Sequence, residues 1–204
     1  MKRMEKILWS LFIVGLLFKI MHWPGAGILT IFSLAFISVL YFYLGIGLFN
    51  NLSINSMFKK ESYSHNQRYN LLFGAVFGII LATLIIGFLF KFMLWPGGNM
   101  MLSIGLISIL ITLSIYLVIK NNSKVSIAKS AFFRVAFVIF ISLCLYGIQT
   151  DSIIDFYYPN NPRYAEALKQ IIHNPNDTAV QENFVKLKEE RMMFNEETNE
   201  RINN

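Results

Sequence analysis

Three ionisable side chains lie within or beside the long apolar runs of this sequence, where such groups are rare. Lys19 and Lys91 occupy equivalent positions in two similar runs, and His22 follows Lys19 by three residues. A lysine in an apolar helix can bind an anion, take part in proton transfer or contact another helix, and a histidine titrates near neutral pH. These three residues are therefore the candidate functional side chains.

The rest of the sequence contains no recognisable motif for catalysis or metal binding. It has no phosphate-binding glycine loop, no dinucleotide fingerprint, no HExxH and no CxxC, and the single cysteine, Cys144, lies in an apolar run. Asp151 and Asp155 are four residues apart, and we interpret them as interfacial carboxylates. We predict a non-enzymatic protein with no metal site and no cofactor.

The composition is typical of a membrane protein. Of 204 residues, 55% are hydrophobic and 15% are charged, whereas soluble domains contain about 25% charged residues. Five stretches approach the length of about 20 apolar residues that a bilayer helix needs. These are residues 7–23, 27–49, 71–94, 100–119 and 131–148. The predicted fold class is all-α, a polytopic helical bundle of about five transmembrane helices with a short helical C-terminal tail.

The positive charges predict an orientation for these spans. Residues 1–150 contain twelve Lys or Arg and two acids, whereas residues 151–204 contain six and ten. Nine loop cations fall on one side, which the positive-inside rule assigns to the cytoplasm. They are Lys2, Arg3, Lys6, Lys59, Lys60, Arg68, Lys120, Lys124 and Lys129. We expect a multi-pass inner-membrane protein with a cytoplasmic N-terminus and a periplasmic tail.

The same cations also indicate what this protein binds. Because they follow the topology rule and attract anionic lipid, they indicate the lipid bilayer as a partner and not a nucleic acid. Arg134 lies inside the fifth span, three residues from its cytoplasmic end, and we expect its side chain to extend to the interface. If residues 131–148 instead lay along the membrane surface, the tail would be cytoplasmic.

An eleven-residue segment occurs twice. Residues 15–25 and 87–97 agree at eight of eleven positions at an offset of 72, including Lys, Trp, Pro and Gly. Because the offset contains two spans, the two copies predict parallel hairpins. The chain then divides into a first hairpin, a cytoplasmic loop, a second hairpin, a loop with the fifth helix, and an acidic helical tail. Their respective bounds are residues 1–50, 51–70, 71–120, 121–149 and 150–204.

Each copy ends in Trp-Pro-Gly, which we predict forms the outer turn of its hairpin. Proline ends a helix, glycine permits a tight turn, and tryptophan favours the interface. These residues are Trp23, Pro24, Gly25, Trp95, Pro96 and Gly97. Gly15 and Gly87 precede the lysines by one turn on the same helix face, and Gly74 and Gly78 form a GxxxG pair in the third span. Such small residues allow close helix packing.

Two explanations of the lysines remain open. Each lysine either extends to the outer interface and stacks on the nearby tryptophan, or lies inside the helix bundle beside its glycine. His22, whose counterpart is Leu94, is either an interfacial polar group or a titrating switch.

Residues 17–26, Leu-Phe-Lys-Ile-Met-His-Trp-Pro-Gly-Ala, resemble the N-terminal membrane hairpin of the GldL family, an inner-membrane subunit of the gliding and type IX secretion motor. Residues 89–97 are similar but lack the histidine. The resemblance implies a tandem GldL-like hairpin. The family carries an acidic residue in its second span that is implicated in coupling proton flow to motion, and Tyr41 stands at about that position here.

These observations predict a structural or assembly component of a cell-envelope complex, related to gliding or type IX secretion and homo- or hetero-oligomeric. The alternative is a small transporter or channel with an anion or proton site at Lys19 and Lys91. The tail predicts two amphipathic helices, starting at Pro162 and at a capping box of Thr178 and Gln181. We expect residues 150–204 to pack on themselves and on the membrane surface or a periplasmic partner.

Overall fold

The computed structural model describes residues 2–21, 23–50, 52, 68–122 and 129–203. Within these ranges the chain forms eight helices and no strand, which confirms the all-α fold class. The helices are α1 (Lys2–Ile20), α2 (Ala26–Asn50), α3 (Arg68–Phe92), α4 (Gly98–Asn122), α5 (Lys129–Gly147), α6 (Thr150–Tyr157), α7 (Pro162–His173) and α8 (Thr178–Asn203). They divide into two compact units, residues 1–148 and 149–204.

Three helices are long and apolar enough to cross a membrane, namely α2, α3 and α4. Helix α5 meets the same criterion only when it is counted together with α6. Helix α1 contains five charged residues: Lys2, Arg3, Glu5, Lys6 and Lys19. Among the described residues, three or four spans are therefore supported by length and composition. The difference from the five predicted spans lies in α1 and α5.

The two hairpin turns have the same backbone geometry. Helix α1 ends at Ile20 and α3 ends at Phe92, which are 72 residues apart. In each turn the tryptophan N–H donates to a carbonyl five residues earlier at 2.8 Å, from Trp23 to Phe18 and from Trp95 to Phe90. Gly25 and Gly97 have φ of 85° and 90°, a left-handed conformation that glycine adopts at no steric cost. Both Trp-Pro-Gly segments thus lie in the turns.

The second turn contains a strained residue, because Leu94 also has a positive φ, of 57°. This conformation costs an ordinary L-residue about 1–2 kcal/mol, and asparagine tolerates it better. We expect Leu94→Asn to raise the melting temperature in detergent and Leu94→Val to lower it, because a β-branched side chain fits this conformation worst. A melting temperature that falls equally in both variants would show that the packing of the leucine side chain, and not the backbone conformation of residue 94, determines stability here.

Glycines occupy the closest approaches between helices. Within the hairpins, a Cβ at Gly15 would lie 3.2 Å from Thr30 Oγ1, and a Cβ at Gly87 would lie 3.0 Å from Leu102 Cδ2. Thr30 and Leu102 are themselves 72 residues apart. Packing inside the two hairpins is therefore equivalent as well.

Two backbones also approach each other closely between the hairpins. Helices α2 and α3 meet where a Cβ on Gly78 would lie 2.6 Å from the Tyr41 carbonyl oxygen and 2.9 Å from Gly45 Cα. A Cβ on Gly74 would lie 2.7 Å from Asn50 Nδ2. We call Gly45, Gly74 and Gly78 the α2–α3 glycine contact. It brings two backbones together in the way that small residues permit in membrane helices.

In the second unit, α7 packs against both α6 and α8. Pro162 occupies the first turn of α7, where its missing N–H costs nothing. The capping box predicted at the start of α8 is wrong: the cap is Asp177, whose Oδ1 accepts from Ala179 N–H at 2.9 Å. An aspartate is among the best N-caps, and it supersedes the threonine that follows it.

Candidate functional site

Lys91 links three helices of the first unit. It lies one residue before the end of α3 and is only 2% exposed. Its ammonium group donates to Asn99 Oδ1 at 2.5 Å, in the first turn of α4, and to the Ile148 carbonyl at 2.7 Å, one residue after α5. The last carbonyls of a helix lack partners within the helix and carry partial negative charge. Lys91 therefore supplies a donor to the end of α5.

Lys19 makes a parallel contact one hairpin earlier. It is half-buried near the end of α1, and its ammonium group donates to the carbonyl of Phe92, the last residue of α3. Met93 Sδ lies 3.7 Å from the same nitrogen. In both copies, then, the lysine at the end of the first hairpin helix reaches the carbonyl end of a later helix in the bundle. We call these two interactions the lysine caps.

The acceptors of the lysine caps indicate what the two ammonium groups can do. These acceptors include main-chain carbonyls, an amide oxygen and a thioether at helix ends, which are uncharged. Such an arrangement can hold helix ends in register. A role in function remains a prediction for both lysines, and His22 lies outside the described residues.

A buried charged cluster at the start of α1 was missed by the sequence analysis. Glu5 is 7% exposed and accepts two bonds from Arg134 Nε, at 2.7 Å to Oε1 and 3.0 Å to Oε2. The Tyr41 hydroxyl donates to Glu5 Oε1 at 2.6 Å. We call Glu5, Tyr41 and Arg134 the Glu5 cluster. It joins α1, α2 and α5.

Arg134 pairs with a protein carboxylate, a contact that the sequence analysis did not anticipate, and its extension to the interface stays a prediction. Its side chain is only 12% exposed, and Nη1 lies 3.5 Å from the Leu48 carbonyl in the last turn of α2. An unpaired buried charge is very costly, so a counter-ion inside the bundle is the physical alternative to reaching water. The available signal was that Glu5 and Glu61 are the only acids in the first 150 residues.

Aromatic packing surrounds the cluster. The Trp9 ring of α1 packs edge-on against Phe137 of α5, with centroids 5.3 Å apart, and against Phe12 at 5.8 Å. Such edge-to-face pairs contribute about 0.5–1.5 kcal/mol each. They add an aromatic contact between α1 and α5 about one helical turn from the Glu5 to Arg134 pair.

In the second unit the two aspartates of α6 pair with α7. Lys169 Nζ lies 2.7 Å from Asp155 Oδ1, and His173 Nε2 lies 3.0 Å from Asp151 Oδ1. The hydrogen bond from Lys169 to Asp155 raises the pKa of Lys169 above its usual value. The spacing that the sequence analysis noted therefore serves helix packing within this unit. No group of three metal-ligating side chains occurs in the part of the chain that the structure describes.

Arg191 of α8 lies between two tyrosine rings, 4.8 Å from the Tyr158 centroid and 4.7 Å from that of Tyr164. Burial raises the pKa of Tyr164, Tyr158 acts in the same direction, and Arg191 opposes both. We expect Arg191→Gln to lose about 1 kcal/mol and to accelerate amide exchange at the middle of α8. Tyr164 should then ionise at still higher pH. The measurement is a titration followed by tyrosine absorbance, and an otherwise identical variant that carries Tyr164→Phe identifies the signal of Tyr164.

The matched control is Lys188→Gln, which removes one positive charge from an exposed position on the same helix. It should leave both amide exchange and the tyrosine titration unchanged. Equal effects of the two substitutions would mean that net charge, and not the contact with the rings, controls α8.

Comparison with known proteins finds a family match for one part of the chain. Residues 8–68 match the family model of the GldL N-terminal domain. The matched range contains most of α1, the first Trp-Pro-Gly turn, α2 and the segment up to the start of α3. The second hairpin lies outside it. No curated protein and no solved structure matches the chain.

Proposed function

We propose that this membrane protein is a GldL-like structural or assembly component of an inner-membrane complex of the cell envelope, related to gliding or type IX secretion. The observation that carries the proposal is the match of residues 8–68 to the GldL N-terminal domain. That match falls on a hairpin with a lysine cap at its turn end and a glycine contact on its inner face. It supports a GldL-like membrane protein, and the role in a complex is our extension of it.

We propose further that the second hairpin is another copy of the same unit. Support comes from the eight identities in eleven residues, the equal turn geometry, and the equivalent packing of Gly15 and Gly87. One chain would then supply two adjacent GldL-like hairpins. In this proposal the N-terminus is cytoplasmic, and residues 150–204 are periplasmic and available to a partner there.

A non-enzymatic role agrees with the chemistry of the lysine caps. A transporter or channel based on these lysines would need their ammonium groups to face a path for water or anions. Lys91 is instead almost fully buried, and its ammonium group contacts an amide oxygen and a main-chain carbonyl. The geometry therefore favours assembly over transport.

The experiment is purification of the tagged full chain in mild detergent, followed by mass determination. We expect species larger than the 23.5 kDa monomer that contain further copies or other envelope proteins. Coexpression of two differently tagged copies separates homo-oligomers from hetero-oligomers. A single monomeric species that retains its helical structure would contradict the assembly role.

A further inference from the structure

Two helices of the first unit do not qualify as membrane spans on their own. Helix α1 contains five charged residues, and α5 contains Arg134 in its second turn and qualifies as a span only together with the next helix. The three other helices of this unit, α2, α3 and α4, qualify alone. The two weak helices are also the two that exchange a buried ion pair.

That ion pair is well formed. Both Glu5 oxygens accept from Arg134 Nε, and the two side chains are 10% and 12% exposed. The Tyr41 hydroxyl donates to Glu5, and Arg134 also approaches the Leu48 carbonyl. A buried pair stabilises a structure only when its remaining polar atoms are satisfied, and here helix α2 supplies the additional partners.

We propose that α1 and α5 enter the membrane bundle as a charge-compensated pair, in which Glu5 allows the helix that carries Arg134 to span. The inference deepens the proposed function, because it rests on the orientation in which α5 crosses and residues 150–204 are periplasmic. The pair joins residues separated by 129 positions, so it forms only after α5 has been synthesised. Insertion of α5 is thus tied to the correct placement of α1.

The physical reason lies in the cost of an unpaired charge. An arginine without a counter-ion is costly in the membrane, most of all at the bilayer centre and less near a helix end, where Arg134 lies. Glu5 offsets this cost when α1 is in place. At the opposite end of α5, the Ile148 carbonyl accepts from Lys91, so α5 is attached to the bundle at both ends.

The test is a topology reporter fused to the C-terminus of the full chain, comparing Glu5→Gln, Arg134→Gln and the double substitution. We expect Glu5→Gln to lower the ratio of external to cytoplasmic reporter at least about tenfold. Arg134→Gln and the double variant should keep the reporter outside, because no arginine then has to enter the bundle with α5. The positive-inside rule alone predicts no loss for Glu5→Gln, since the N-terminus becomes more positive.

Lys6→Gln is the matched control, because it changes one exposed charge at the neighbouring position of α1. The proposal is overturned if Glu5→Gln behaves like Lys6→Gln. It is also overturned if the double variant is as misplaced, or accumulates as poorly, as Glu5→Gln, because the defect would then not depend on Arg134. Rescue of Glu5→Gln by Arg134→Gln supports it even when the single variant accumulates poorly.

A second measurement reports the packing of α1 on α5 without a reporter. Cysteines at Trp9 and Phe137, in a chain whose Cys144 is replaced by Ser, are treated with a short bifunctional thiol reagent. Cross-linking should be efficient in an otherwise native chain, drop at least about fivefold with Glu5→Gln, and return in the double variant. Equal cross-linking in all backgrounds would contradict the proposal. Because this readout is intramolecular, it is independent of whether the protein copurifies with partners.

Discussion

Gly78→Val should disrupt the packing of the two hairpins. A Cβ at Gly78 would lie 2.6 Å from the Tyr41 carbonyl oxygen and 2.9 Å from Gly45 Cα. Both are backbone atoms, so no rotation of a side chain can relieve the clash, and α2 must move away from α3. These two helices contribute most of the fully buried residues of the core. The expected loss is about 3 kcal/mol.

The measurement is the melting temperature of the purified chain in detergent, where this loss corresponds to a fall of about 6–12 °C. Gly147→Val is the matched control, because a Cβ at Gly147 would meet no atom within 4 Å. It should change the melting temperature by only one or two degrees, on the order of the surface substitutions in soluble proteins. Equal falls in the two variants would mean that the α2–α3 glycine contact does not control stability.

The hairpins could be predicted from the sequence because their signals are local. Proline and glycine at adjacent positions fix a turn within a few residues, and an apolar run of sufficient length fixes a membrane helix. The start of α7 at Pro162 follows from the same kind of local signal, whereas α8 begins at Thr178 with Asp177 as its cap and not with the predicted capping box. Helix α6 was not predicted, since a helix of eight residues gives too short a pattern.

The Glu5 cluster could not be predicted in this way. The sequence analysis began the first span at residue 7, where the apolar run starts, whereas α1 begins at Lys2 and brings Glu5 into the bundle. Its partner Arg134 is 129 residues away, and no periodicity records a contact of that range. The topology rule counts only cations near the ends of the spans, so it carries no information about a counter-ion for Arg134.

The lysine caps show the same limit. The repeated Gly, Lys and Trp positions indicated that Lys19 and Lys91 are equivalent, and the contact with a later helix end is equivalent in both. The acceptors differ, however, because Lys91 has Asn99 on the same hairpin and the counterpart of Asn99 in the first hairpin is Gly27. That difference becomes visible only when the turn is folded, since Asn99 lies eight residues after Lys91.

Lys91→Met should destabilise the protein more than Lys19→Met. Lys91→Met leaves Asn99 Oδ1 and the Ile148 carbonyl without the donor they share, in a site that is 2% exposed. Loss of hydrogen bonds from a buried charged group costs about 3 kcal/mol. Lys19 is only half-buried, so water can replace its ammonium group at the Phe92 carbonyl, and the expected loss is about 1 kcal/mol.

Melting temperatures of the two variants measure this difference, and Lys120→Met, at an exposed position in the last turn of α4, is the matched control. The same variants distinguish a role of Lys91 in helix packing from a role in binding a ligand. If Lys91 acts through packing, the cross-linked contact of α1 with α5 and the mass of the purified complex should change together with the melting temperature. A Lys91→Met chain that melts like Lys120→Met and keeps its partners would show that the charge is not needed for packing. That result would favour the transport role, which the contacts of Lys91 otherwise disfavour.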